Sequence, residues 1–156
     1  FSLEREPVWR RVWVRDVIAE VCDDLAIPLV ERGIRVEIDA GNQTVLADAG
    51  MLGRAIANLI RNALDAMPQG GTLTLTASYV ESRHAVHLTV SDTGTGISEK
   101  DLPHIFEPFY TTKDEGYGVG LGLSTLYGIL QDHQGSVQVE SEPGKGTSFT
   151  LSLPVP

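Results

Sequence analysis

Asn58-Leu59-Ile60-Arg61-Asn62-Ala63-Leu64-Asp65-Ala66 is the stretch on which the reading of this chain turns. Successive residues of a helix stand about 100° apart, so the spacing predicts two distinct stripes. Leu52, Ile56, Leu59, Ile60, Ala63 and Met67 fall on one arc, whereas Asn58, Asn62 and Asp65 share another. A solvated face would normally carry Lys and Glu, which are better helix formers than Asn. The amide oxygen of asparagine is, however, a neutral, hard ligand suited to Mg²⁺. Two surface amides are the plainer reading if this stripe is taken alone. The helix should start near Asp48 and stop at the Pro68-Gln69-Gly70-Gly71 turn.

Downstream, Leu73, Leu75 and Ala77 alternate with threonine and serine, and Val86, Leu88 and Val90 alternate likewise. The intervening Glu81-Ser82-Arg83 predicts a hairpin. The second strand continues in phase to Asp92, which period 2 places on the apolar side. An inward carboxylate is costly without a hydrogen-bond donor, and the exocyclic amine of a purine is one such donor. Thr93-Gly94-Thr95-Gly96-Ile97 follows, with glycines that would let backbone approach a flat ligand. An ordinary Asp/Gly turn at a strand end is the competing reading.

The run Gly116-Tyr117-Gly118-Val119-Gly120-Leu121-Gly122-Leu123-Ser124 leads into a helix with Leu126, Ile129 and Leu130 facing inward and a left-handed cap at Gly135. Glycines before a helix start suit phosphate, because first-turn N–H groups and the helix dipole face the anion. The run has neither the Gly-Lys-Ser/Thr of a P-loop nor the setting of a dinucleotide fingerprint. Lys113 could add a point charge. Two last strands, around Val137-Val139 and Phe149-Leu151-Leu153, are joined by Glu142-Pro143-Gly144-Lys145-Gly146.

Upstream, Val12-Trp13-Val14 reads as a short edge strand. Val17, Ile18, Val21, Leu25 and Leu29 recur at helical spacing, with a kink or early end expected at Pro28. Ile34, Val36 and Ile38 read as a half-buried strand. These elements together predict an α/β (α+β) two-layer sandwich: one mixed, mainly antiparallel sheet with about three helices on one face. A chain of 156 residues fits one such domain, with or without a short stub. Its net charge of −9 argues against nucleic acid as a partner, since non-specific binding needs a basic surface. Cys22 is the only cysteine, which excludes an internal disulfide framework or zinc cluster and suits a reducing cytoplasm. No apolar run reaches the roughly 20 residues of a membrane span, and no secretory leader is apparent.

In their order, these motifs resemble the GHKL (Bergerat-fold) ATP-binding family, and within it the catalytic domain of sensor histidine kinases. The N box is Asn58 to Ala66, and the G1 box is Asp92-Thr93-Gly94-Thr95-Gly96-Ile97. The F box corresponds to Ile105-Phe106-Glu107-Pro108-Phe109-Tyr110-Thr111-Thr112-Lys113. The G2 box is Gly118-Val119-Gly120-Leu121-Gly122-Leu123, and Gly144-Lys145-Gly146-Thr147 is the last glycine motif. The matches span roughly residues 48–150.

The resemblance implies ATP and Mg²⁺ as cofactors. Asn62 would coordinate the Mg²⁺, Asn58 would support the metal or its waters, and Asp65 would complete that stripe. Asp92, with Gly94, Gly96 and Ile97, would take the adenine, and Thr147 would reach the same region directly or through water. Gly118, Val119, Gly120, Leu121, Gly122 and Leu123 would cover the phosphates, and Lys113 would contact the γ-phosphate. Asn58, Asn62 and Lys113 are thus the expected catalytic residues. Phe106 and Phe109 should anchor the base of this lid.

One position separates enzyme classes within the family. Its ATPases, such as type II topoisomerases, hold a water-activating glutamate four residues before the metal-binding asparagine. Asn58 stands there and cannot act as a general base. The resemblance therefore favours a kinase over a GHKL ATPase, a serine kinase or a non-catalytic nucleotide-sensing module. Histidine kinases phosphorylate a histidine, followed by an acidic residue, on a separate dimerising helix. His84, His87, His104 and His133 lack that context and read as structural or surface residues. Residues 1–10 would be the linker from that helical hairpin, and residues 11–156 the catalytic domain. The implied partners are the hairpin and a response regulator. The implied setting is cytoplasmic, within a homodimeric parent that could be membrane-anchored, while the fragment itself would be monomeric.

Overall fold

The computed structural model describes residues 6–110 and 122–156. Strand β1 (Arg10–Trp13) enters helix α1 (Val14–Asp24), which is followed by α2 (Ala26–Glu31), β2 (Ile34–Asp39) and β3 (Thr44–Ala47). Helix α3 (Ala49–Ala66) leads to β4 (Gly71–Val80) and β5 (Ala85–Asp92), joined through a 3-10 turn. Helix α4 (Gly122–Asp132), β6 (Ser136–Glu142) and β7 (Gly146–Pro154) complete the fold. The main sheet has the order β2-β4-β5-β7-β6, with only the β2–β4 pair parallel. A parallel pair needs a crossover; here it runs through β3 and α3. The expected mixed, mainly antiparallel sandwich is therefore present, with β1 and β3 forming an additional two-stranded sheet.

Period 2 sorts the main sheet into two faces. Leu73, Leu75, Val86, Leu88, Val90, Phe149, Leu151 and Leu153 are buried beneath the helices. The opposite face carries hydroxyls, paired across strands at Thr89–Thr150 (3.2 Å) and Ser91–Ser148 (2.6 Å). Helix α3 lies between α1 and α4 and buries the apolar arc that its sequence marks, including Leu52, Ile56, Leu59, Ile60 and Ala63. Full burial of each such aliphatic side chain contributes roughly 1.5–3 kcal/mol, which is what holds this helix on the sheet.

Three local expectations need correction. Helix α1 ends at Leu25, and Pro28 sits in the first turn of α2, where its missing N–H leaves no intrahelical bond unmade. Strand β1 stops at Trp13, because Val14 already belongs to α1. At the end of α4 the left-handed residue is Gln134 (φ 56°), not Gly135. The N–H of Gly135 bonds Leu130 O (2.8 Å) and that of Gln134 bonds Gln131 O (3.0 Å), the paired bonds of a Schellman cap. Gly135 is needed for a different reason: a Cβ there would collide with the carbonyl of Ser152. No described helix is long and apolar enough to cross a membrane.

Candidate functional site

Helix α3 is fixed at its start by Asp48, an almost fully buried N-cap. The Asp48 carboxylate accepts from Met51 N–H (3.0 Å) and Val8 N–H (2.8 Å), so the entering chain and the helix share one cap. The Asp48 N–H donates to His133 Nε2 (3.1 Å), and His133 Nδ1 donates to Ile129 O (2.8 Å), tying α3 to the end of α4. Trp9 stands edge-on against the His133 ring. His133 is thus structural, as expected, and the described contacts of the domain reach back to Val8.

With α3 fixed in this way, Asn58 and Asn62 stand half-buried one turn apart, and Asp65 is exposed on the same stripe. The Asn58 amide donates to Gly122 O (2.9 Å), which places the first residue of α4 against the asparagine edge. Asn58 is therefore a contact to the neighbouring helix as well as a candidate ligand. No hydrogen bond from a described residue reaches the Asn62 amide. Leu123 is partly buried against the core. Lys113, Gly118, Val119, Gly120 and Leu121 lie outside the described residues.

Beyond the C-terminal end of α3, the 92–97 loop is bound on both sides. Thr95 donates to Ala66 O (3.0 Å), and its own carbonyl accepts from Gly144 N–H (2.8 Å). Thr93 Oγ1 accepts from Thr72 N–H (3.0 Å). The glycines here are also required by the protein's own packing. A Cβ at Gly94 would strike Ala66, and one at Gly96, which has φ +77°, would strike the backbone of Glu142.

Asp92 is half-buried. Its carboxylate accepts from Gly94 N–H (2.9 Å) and from the Thr147 N–H. The donors that an inward carboxylate requires are thus supplied first by backbone, and these bonds fix its orientation. Burial pushes the Asp92 carboxyl above the usual carboxylate range, against the lowering effect of those two N–H groups. Thr147 lies directly across β7 from Asp92 and is buried. Ser141, which sequence reasoning did not single out, lies opposite Thr147 on β6. Its Oγ accepts from Ile97 N–H (2.7 Å), donates to Gly146 O (3.0 Å) and meets Thr147 Oγ1 (2.8 Å). Its position in phase with Val137 and Val139 was the available signal.

The F box divides. Phe106 packs against Tyr127 and Phe149, as expected of an anchor. Phe109 is 72% exposed, at φ +67°. Tyr110 donates its hydroxyl to Asp101, which Ser98 also bonds (2.9 Å). These two donors hold the Asp101 carboxyl below its ordinary range, and the bond to Asp101 in turn raises the Tyr110 hydroxyl above its own. Among the described residues there is no His, Cys, Asp and Glu cluster able to cage a metal.

A sheet covered by helices, with Asn58 and Asn62 on one stripe of α3 and the half-buried Asp92 paired with the buried Thr147 across β5 and β7, has the make-up of a nucleotide-binding domain. Residues 47–156 match the family described as histidine kinase-, DNA gyrase B-, and HSP90-like ATPase, and the chain belongs to that family. Within it the chain is similar to sensor histidine kinases. It is 40% identical to the sensor kinase CckA of Brucella abortus over 93% of this chain and 18% of that protein. It is 43% identical to sporulation kinase A of Bacillus subtilis over 78% of this chain and 19% of that protein. The chain thus spans about a fifth of the length of these curated relatives. Among solved structures, full-length ShkA in complex with AMPPNP superposes with a TM-score of 0.85 at 28% identity, covering 98% of this chain and 32% of that one. The mycobacterial sensor histidine kinase MprB does so at 0.83 and 26%, covering 94% and 97%.

Proposed function

We propose that this chain is the ATP-binding catalytic domain of a sensor histidine kinase. It would transfer the γ-phosphoryl group of ATP to a histidine on a separate dimerisation hairpin, for relay to a response regulator. The observation that carries the reading is the side chain at position 58. Asn58 gives its amide hydrogen to Gly122 O and has no basic group with which to take a proton from water. Phosphoryl transfer without an activated water depends on positioning and on stabilising charge. Asp92 and Thr147 would orient the adenine. Asn62 would hold the Mg²⁺, which when bound neutralises charge between the phosphates. The eleven-residue helix α4 would present its first-turn N–H groups towards the phosphates. Lys113, Asp65 and the glycines at 118, 120 and 122 keep their proposed roles around the phosphates. The γ-phosphorus–oxygen bond to ADP would break as the bond to the imidazole nitrogen of the acceptor forms.

Residues 1–10 would lead in from the hairpin, with Val8 and Trp9 docked on Asp48 and His133 and Arg10 already paired in β1. The parent protein would be a homodimer, and its kinase domain would work in the cytoplasm. The direct test mixes this chain with a separately produced acceptor hairpin and γ-labelled ATP. Acid-labile phosphate on the hairpin supports the proposal. Nucleotide binding with no transfer, or acid-stable label, rejects it.

A further inference from the structure

Three polar side chains interrupt the apolar face of the sheet in a single row. Asp92 on β5, Thr147 on β7 and Ser141 on β6 are cross-strand partners. They continue the register of Val90, Phe149 and Val139, all directed towards the helices. Asp92 and Thr147 belong to the site already proposed, but Ser141 has had no role. Its hydrogen bonds assign it one.

A serine hydroxyl has one proton to give and two lone pairs to receive with. The Ser141 oxygen has three neighbours: Ile97 N–H at 2.7 Å, Gly146 O at 3.0 Å and Thr147 Oγ1 at 2.8 Å. Ile97 N–H can only donate and Gly146 O can only accept. If Ser141 gives its proton to Gly146 O, the remaining contact is complete only when Thr147 donates to Ser141. This is the arrangement in which every partner is satisfied, as groups buried to this degree require. The Thr147 proton is then turned toward Ser141 on β6, and only lone pairs at that oxygen remain for a ligand. The Asp92 carboxylate beside it is also an acceptor.

We infer that Ser141 is a specificity-determining positioning residue: by fixing the Thr147 hydroxyl as an acceptor, it sets the nucleobase end of the site to take an amino-bearing purine and reject an oxo-bearing one. The inference rests on the proposed ATP site and adds the source of its base selectivity. Adenine offers amino hydrogens where guanine offers a carbonyl oxygen, and that oxygen would face two acceptors. A site built with buried hydrogen-bonding groups discriminates by leaving them unpaired with the wrong ligand. In Ser141→Ala the Thr147 hydroxyl is released and can turn its proton outward.

The test is titration of this chain with Mg-ATP and with Mg-GTP, followed by calorimetry, for wild type, Ser141→Ala and Thr147→Val. Each variant is first checked by circular dichroism and thermal melting. In Ser141→Ala the preference for ATP over GTP should narrow by about tenfold, the scale of one hydrogen bond gained by the wrong base. Thr147→Val should weaken ATP binding without improving GTP binding, and it decides the matter alone if Ser141→Ala does not fold. An unchanged preference in a folded Ser141→Ala overturns the inference, as does a Thr147→Val variant that binds ATP like wild type. A wild-type chain that binds neither nucleotide overturns the ATP reading itself. A wild type that binds both equally overturns only the base-selectivity claim.

Discussion

Replacing Asp92 by asparagine separates what this carboxylate does for the fold from what it does for a ligand. In the protein it accepts from Gly94 N–H and Thr147 N–H, which leaves further lone pairs for a ligand. An asparagine keeps one oxygen for a backbone donor but must set its NH₂ group against either the second backbone N–H or the purine amine. A hydrogen bond to a charged acceptor contributes about 1.5–3 kcal/mol, so ATP affinity should fall by roughly 10- to 150-fold. Stability should respond less. Burial raises the folded-state pKa of Asp92 above its unfolded value, so the folded state holds the proton more tightly. That contribution favours the fold fully below the unfolded pKa and is lost as pH rises through the folded one. At neutral pH the ionised carboxylate therefore costs the fold something, which a neutral amide removes and which offsets part of the lost backbone bonding. The wild type carries a second signature. An amine donor favours the ionised carboxylate, so ATP affinity should weaken as pH falls through the raised pKa of Asp92, and Asp92→Asn should lack this dependence. Calorimetric titration across the mildly acidic range, beside thermal melts, measures both. Wild-type affinity in Asp92→Asn, or an equal pH dependence in the two proteins, would refute the adenine assignment.

Asp48→Ala removes an N-cap together with the acceptor for Val8 N–H. A cap contributes about 0.5–2 kcal/mol, and a hydrogen bond to a charged group about 1.5–3, so a loss of about 2–4 kcal/mol is expected in urea denaturation. A loss below about 0.5 kcal/mol would show that the shared cap is incidental. Gly96→Ala meets both a left-handed φ and the Glu142 backbone, and should cost about 2 kcal/mol or more by the same measurement. Asn62→Ala should abolish Mg²⁺-dependent nucleotide binding while leaving the melting temperature near wild type; Mg²⁺ dependence that persists would remove Asn62 from the metal.

Much of the architecture is legible in the sequence because its signals are periodic. The stripes of α3 and the alternation of β4, β5 and β7 each repeat over several residues, so periodicity alone assigns Asn58, Asn62 and Asp92 to their faces. What is not legible depends on pairing between distant segments. Thr44–Ala47 is too short for alternation to show and is a strand only because Arg10–Trp13 lies beside it. The parallel register of β2 on β4 depends on the path of α3 and not on either strand's pattern. His133 reads as the end of a helix, yet its two ring nitrogens connect α4 to the cap of α3, eighty-five residues earlier in sequence. Local sequence does not show that Gly94, Gly96 and Gly135 each have another part of the chain lying against them, which a Cβ would strike. Phe109 reads as an anchor beside Phe106, whereas its side chain is exposed at a left-handed backbone position.

The central claim is that an amide at position 58 leaves the γ-phosphoryl group to a protein side chain rather than to water. The measurement that bears on it most directly follows the fate of that group when this chain is incubated with γ-labelled Mg-ATP, with and without the acceptor hairpin. Without the hairpin, free phosphate should stay at the level of the Asn62→Ala protein. With it, label should accumulate on the hairpin as acid-labile phosphohistidine. Steady release of free phosphate by the chain alone, with no label passing to the hairpin, would contradict the account.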